Sequence, residues 1–424
     1  MARTFTRREL LGNAGRYGLG AMALGSLTDP TRLARTLADQ KAARLRHPNT
    51  SPAPGPLVLG TMYGGYDGVN LVVPYQNQTY LNLRPTMNVS ATALPLNASS
   101  AAGDPLALHP ACTGISTLWN AGHVAIIQGV GMPHPTYSHF SGMAQWMAGT
   151  EDLTVYTGWV GRFLDGLSAN PLNALSIGAG IPQLLTGNSQ VASGVSDTDV
   201  AANQSVPGGT GFETSYNVAQ DPTATTTPLQ SAIAQSGQNL VTVATEANSA
   251  LNAVAPLSFA RLAGDFGQQL SIISQLILYG APTKVYQASM GGYDTHSNEI
   301  NAQASLFAQM DSAVTAFFNA ISGNSAAAGT VLVLYTEFGR QLKENGSIGT
   351  DHGNGNMILV IGQPVKGGLY GTYPSLTNLD GAGALQMTVD FRSFETTILQ
   401  NVLGLTATQA ATVLNGSFTN LGFV

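Results

Sequence analysis

The sequence predicts an α/β fold: a doubly wound, mostly parallel sheet with helices on both faces. Three observations predict it. Apolar runs of five or six residues, rich in β-branched side chains, end repeatedly in polar, Gly-rich turns. Segments of helical periodicity lie between several of these runs. The chain has 424 residues and one cysteine, Cys112, so a large core and not a disulfide framework must stabilise it.

The first 27 residues read as an export signal. Thr6-Arg7-Arg8-Glu9-Leu10-Leu11 places an arginine pair before a weakly apolar stretch, Tyr17 to Leu27. This is the twin-arginine pattern, and the stretch is far short of the roughly 20 apolar residues that span a bilayer. Export through the twin-arginine machinery is therefore expected, with a periplasmic, secreted or cell-surface destination. Residues 28–56 are basic and then Pro-rich, ending Ser51-Pro52-Ala53-Pro54-Gly55-Pro56, and read as a linker.

Charge separates this arm from the rest. Of 17 Lys and Arg and 23 Asp and Glu, residues 1–50 hold nine and three, which leaves 8 basic and 20 acidic residues beyond them. A body with a net charge of −12 is a poor surface for nucleic acid, and no such partner is expected.

In the body, residues 57–424, the strand runs come in order. Leu57–Met62 leads into Gly64-Gly65-Tyr66-Asp67-Gly68, and Val124–Gln128 into Gly129-Val130-Gly131-Met132-Pro133-His134. Val285–Met290 leads into Gly291-Gly292-Tyr293-Asp294-Thr295-His296, Val331–Tyr335 into Thr336-Glu337-Phe338-Gly339-Arg340, and Met357–Ile361 follows. Helices are predicted over Leu229–Ala255, Leu257–Leu278 and Ile300–Ile321, the last with Leu306, Met310, Val314 and Phe317 on one face. Residues 187–228 are polar and aperiodic, so an irregular or helical insertion is expected around 187–280.

Chemistry-bearing residues follow the strand ends. Asp67, His134, Asp294, His296 and Glu337 each lie just past a predicted strand, and Asp351-His352 lies in the loop before another. In an open α/β sheet the carboxyl ends share one edge where ligands bind, so residues distant in sequence can converge there. Carboxylates with imidazoles are ligands of zinc and related divalent ions. Asp294-x-His296 adds alternation, since alternate residues of an extended chain point the same way. Each Asp also has an ordinary use as a turn residue. His134-Pro135-Thr136-Tyr137-Ser138-His139 sits at a strand-to-helix junction, where Ser138 is either a helix cap or a hydroxyl aimed at an anion.

Other chemistries find no motif. The chain has no G-x-G-x-x-G opening a helix, no P-loop and no strict G-x-S-x-G. Cys112-Thr113-Gly114-Ile115-Ser116 lacks the Pro and Arg that a formylglycine sulfatase needs.

Gly64-Gly65-Tyr66-Asp67-Gly68, Tyr137-Ser138-His139-Phe140, Thr157-Gly158-Trp159, Asp294-Thr295-His296, Thr336-Glu337-Phe338-Gly339-Arg340, Thr350-Asp351-His352-Gly353 and Asp390-Phe391-Arg392 occur in this order. With them the chain resembles the domain of unknown function 1501 family, exported bacterial proteins similar to the alkaline-phosphatase superfamily. The resemblance implies an alkaline-phosphatase-like fold and one or two divalent ions, zinc first. It implies Asp294, His296 and His352 at one ion. At a second it implies Asp67, a nucleophilic Ser138 and Glu337, with Phe338 where the superfamily has a histidine ligand. His134, His139 and Asp351 are supporting candidates, and Arg340 is a candidate anion clamp. The expected activity is hydrolysis of a phosphate ester, or second a sulfate ester, on a small anionic or glycan-linked substrate. The alternative is a non-catalytic binding protein that keeps the fold around a degenerate metal site.

Overall fold

The structure is a computed structural model and describes residues 55–178, 180–195, 228–259 and 261–424. The expected export signal, nearly all of the expected linker and the polar run 196–227 lie outside the described residues.

Among the described residues, twelve strands form two sheets. In chain order they are β1 (Leu57–Met62), β2 (Val72–Val73), β3 (Leu94–Ser99), β4 (Pro105–Leu108), β5 (Val124–Gly131), β6 (Ala174–Ile177), β7 (Ser193–Val195), β8 (Val285–Met290), β9 (Val331–Tyr335), β10 (Asn356–Ile361), β11 (Gly368–Gly371) and β12 (Val389–Asp390). The main sheet has nine strands in the order β11-β5-β10-β9-β1-β8-β6-β7, with β12 also paired to β5. Only β10 opposes the common direction. β2, β4 and β3 make a small antiparallel side sheet.

The predicted α/β architecture is thus observed, and alternation along the buried strands divides its core in two. Leu57 and Leu59 of β1 face one side with Val285, Val331, Val333 and Val360, while Val58 and Met62 face the other with Tyr286, Leu332, Leu334 and Leu359. The first side is covered by α4 (His139–Ala148), α5 (Trp159–Asp165), α9 (Phe391–Thr397) and α10 (Ala407–Leu414), through Trp146, Phe163, Phe394 and Val413. The second is covered by α3 (Thr113–Asn120), α7 (Gly264–Tyr279) and α8 (Glu299–Ile321), through Ile115, Phe266, Leu270, Phe307 and Phe317. The remaining α-helices among the described residues are α1 (Gly68–Leu71), α2 (Gln78–Leu83) and α6 (Pro228–Ala253). Each fully buried Leu, Val or Phe contributes about 1.5–3 kcal/mol, and both faces of the sheet carry them.

Met310, Val314 and Phe317 of α8 are buried as their spacing predicts, and Leu306 is half-buried. The region expected as an insertion contributes more than decoration. β7 extends the sheet edge, and α7 is buried along most of its length. Residues 257–263, read as the first turns of that helix, precede it. The direction of β10 was not predicted, and it matters: its amino end lies at the carboxyl edge of its neighbours, which brings the 351–355 loop to the same rim as the loops after β1, β5, β8 and β9.

Glu395 of α9 is fully buried, and neither carboxyl oxygen has a hydrogen-bond partner among the described residues. Nearby Arg162 spends its donors on the carbonyls of Val413, Thr157 and Ala148. Burial therefore pushes the Glu395 carboxyl well above the ordinary range, partly offset by the charge of Arg162. The folded state keeps this proton while the unfolded chain releases it, so above the free-carboxyl range stability falls as pH rises. Glu395→Gln removes that slope, and its stabilising effect should grow with pH by up to about 1.4 kcal/mol per unit. Denaturant melts at several pH values check this; a difference that does not change with pH would contradict it.

Candidate metal centre

Four ligand-type side chains meet at the rim. The Asp294 Oδ1 lies 3.0 Å from His296 Nε2, 3.2 Å from His139 Nε2 and 3.2 Å from His352 Nε2. The coordinating atoms of His139, Asp294 and His352 all fall within 4.8 Å of one another. His296 Nε2 joins from the solvent side, 3.0 Å from His352 Nε2. Asp294 is 46 % exposed and His296 44 %, so the cluster opens to solvent. Gly64 permits this convergence: its φ is +113°, and a Cβ there would sit 2.5 Å from the Asp294 amide nitrogen.

The far nitrogen of each imidazole is fixed. His139 Nδ1 is 2.6 Å from Glu337 Oε1, His296 Nδ1 is 3.0 Å from Asp351 Oδ1, and His352 Nδ1 is 2.7 Å from the Tyr137 carbonyl. A carbonyl only accepts, so His352 Nδ1 carries a proton, and in the neutral ring Nε2 presents its lone pair. Tyr137 has a φ of +51°, an uncommon backbone state for a side chain of its size. Its hydroxyl is bonded to the Asp380 carboxylate. His139 Nε2 is buried and has no well-formed hydrogen bond, although it lies beside Asp294. Imidazoles aimed inward by Nε2 and anchored by Nδ1 to a carboxylate or carbonyl are the pattern by which proteins hold divalent metals. These residues fit such an ion.

Electrostatics agree. Burial pushes the Asp294 carboxyl up, but the hydrogen bond and charge of Arg340, with His139 and His352, together outweigh this and hold it well below the usual range. Burial likewise raises Glu337, and its hydrogen bonds with His139, Thr336 and the Gly64 amide together more than offset it. The bond with Glu337 in turn raises the His139 ring, so a proton and a metal compete for its Nε2.

Asp294, His296 and His352, predicted together, are brought together, and Asp351 supports His296. The other assignments change. Asp67 is not at the rim: it is fully buried, caps α1 by accepting from Val69 N and Asn70 N at 3.2 and 3.3 Å, and pairs with Arg84. Burial raises its carboxyl, and Arg84 more than reverses that. Neighbouring Glu299 is pushed up by burial and by the charge of Asp67. Glu337 lies behind His139, bonded to its Nδ1, and also accepts from Gly64 N at 2.9 Å and Thr336 Oγ1 at 2.6 Å. Arg340 cannot clamp an anion in this position. It is buried and donates to the carbonyls of Gly65, Thr350, Gly64 and Tyr293 as well as to Asp294.

Ser138 Oγ accepts from Ser141 N at 3.5 Å as the cap of α4. His134 is 88 % exposed beside Glu151, away from the cluster. His139, expected only in support, is central. Phe338 has its ring against His139 and His352, with centroids 4.8 and 4.9 Å apart. No role is expected from the sequence for Arg84, nor for Tyr137 beyond its place in a family motif. The one available hint for Arg84 was scarcity, since so few cations lie beyond residue 50 that each is suspect of a specific task.

A family profile described as "Protein of unknown function (DUF1501)" matches residues 57–421. The chain belongs to the DUF1501 family. Solved structures similar to this DUF1501 chain include Ps i-CgsB in complex with k-i-k-neocarrahexaose (9% identity, 87% of this chain and 75% of that chain, TM-score 0.42). Others are a protein in the alkaline phosphatase superfamily from Vibrio parahaemolyticus (9%, 87% and 75%, TM-score 0.36) and a phosphonate monoester hydrolase from Silicibacter pomeroyi (8%, 82% and 73%, TM-score 0.33). No curated protein matches the DUF1501 chain in sequence.

Proposed function

We propose that the chain is an exported, metal-dependent hydrolase of phosphate esters, with sulfate esters as the second choice, acting on a small anionic or glycan-linked substrate. One observation carries the reading: three imidazole Nε2 atoms converge on the Asp294 carboxylate while the far nitrogen of each ring is held by Glu337, Asp351 or the Tyr137 carbonyl. His139, His296, His352 and Asp294 would hold the divalent ion, zinc first. When bound, it supplies Lewis-acid chemistry, polarising an ester oxygen and making water a better nucleophile.

The chain's own residues orient that chemistry. Arg340 fixes the Asp294 carboxylate from below, Phe338 walls the imidazoles on one side, and the exposed flanks of His296 and Asp294 leave room for an ester. Ser138 Oγ accepts from the Ser141 amide as the cap of α4, and the attacking group in this reading is water.

Turnover of an aryl phosphate and an aryl sulfate by natively exported, zinc-loaded protein tests this. Activity is expected in the wild type and in Ser138→Ala, which should lose only about 1 kcal/mol of stability as a removed cap. Abolition of turnover in Ser138→Ala, with metal and folding intact, would make Ser138 the nucleophile. Metal binding without any turnover would favour a binding protein, the reading to which Phe338 lends weight because it cannot coordinate.

Export rests on Arg7 and Arg8. Changing both to Lys should abolish passage through the twin-arginine route; continued passage by that route would remove the export reading. Among the described residues no helix is long and apolar enough to cross a membrane.

A further inference from the structure

We infer that the centre is built for a single ion, and that the buried guanidinium of Arg84 occupies the role that a second cation would have beside Asp67. The inference rests on the reading of His139, Asp294, His296 and His352 as metal ligands, and concerns what stands next to them.

The side chains implied for a second ion do not fit one. Asp67 is fully buried and both its oxygens are committed, Oδ1 to the amides of Val69 and Asn70, Oδ2 to Arg84 Nη1. Glu337 already accepts from His139, Gly64 N and Thr336. Phe338 offers no donor atom, and Ser138 caps α4. Among the described residues, His139, Asp294 and His352 are the one set of three such groups close enough to share an ion.

Arg84 is itself held as a built component. Its side chain is fully buried, Nε donates to the Leu342 carbonyl at 2.7 Å and Nη2 to the Gln341 carbonyl at 3.0 Å. Both acceptors follow Arg340 directly in the chain, and Gln341 N bonds the carbonyl of Asp351, which anchors His296. Asp67 is tied to the same floor: its amide donates to Gln303 Oε1, whose Nε2 donates to Thr295 Oγ1 between Asp294 and His296. A buried carboxylate requires an opposite charge. Here that charge is covalently tethered and need not be drawn from solution.

The test is metal stoichiometry of the natively exported full chain, dialysed against zinc alone and read by elemental analysis. One zinc per chain is expected in the wild type. One is also expected in Asp67→Asn/Arg84→Met, which removes both charges together. A cooperative melt shows whether the double variant is folded; if it is not, the wild-type count decides. Two zinc ions per wild-type chain would overturn the inference, as would loss of zinc from a folded double variant. No zinc in the wild type would instead overturn the underlying metal reading, and this inference with it, so the two failures are distinguishable.

Discussion

Replacing Asp294 by Ala should abolish zinc binding. Its Oδ1 is the atom to which all three imidazole Nε2 atoms and Arg340 converge, and it supplies the only carboxylate in the group. Removing it takes away a ligand and the charge that favours a cation. The loss should exceed that of Glu337→Gln, which leaves every ligand in place but weakens the anchor on His139. Loss of such an outer partner costs about 10–100-fold in metal affinity. Competition titration with a zinc chelator should therefore rank wild type, Glu337→Gln and Asp294→Ala in that order. Equal affinities in all three would mean that zinc, if bound, sits elsewhere. Neither exchange empties a core position, so both proteins should stay folded; Asp294 is half exposed, and Gln can still hydrogen-bond at 337.

Breaking the pair under the site should have the largest effect on stability. Arg84→Met leaves the Asp67 carboxylate fully buried with no opposite charge. Removing one partner of a buried ion pair costs about 3–5 kcal/mol, because the remaining ion loses its compensation. Asp67→Asn/Arg84→Met, with both charges gone, should recover most of that loss. Chemical denaturation of the three proteins measures it; a loss below about 1 kcal/mol for Arg84→Met alone would show that the pair is replaceable by the surrounding polar groups.

The sheet was legible because its strands are buried on both faces. Runs such as Val331–Tyr335 are apolar without alternation, and their Gly-rich ends mark the rim. Asp294-x-His296 was legible for a related reason: two residues of one extended segment project alike, so the sequence carries their shared direction. Asp351-His352 joins them only if its loop reaches the same rim. That follows from β10 running against its neighbours, a direction no local pattern encodes.

What spacing could not convey is which atom of a side chain faces which way. Asp67 follows a strand just as Asp294 does, but its backbone enters a helix at once, and the carboxylate turns inward to cap it. Glu337 reaches the cluster only through His139. The charge of Arg340 suggests an anion clamp, whereas its donors turn to four carbonyls from three loops. Arg84 meets Asp67 across 17 residues and the whole of α2, and Tyr137 contributes through a backbone carbonyl that any residue type possesses. These are tertiary facts with no local signature.

The most direct measurement of the central claim is X-ray absorption at the zinc edge on the purified, zinc-loaded full chain, compared with His352→Ala. The expected result is a wild-type first shell of nitrogen and oxygen donors with strong imidazole scattering from His139, His296 and His352, reduced by one imidazole or lost altogether in the variant. A zinc spectrum without imidazole scattering, or one unchanged in His352→Ala, would contradict the assignment of these residues as the metal centre.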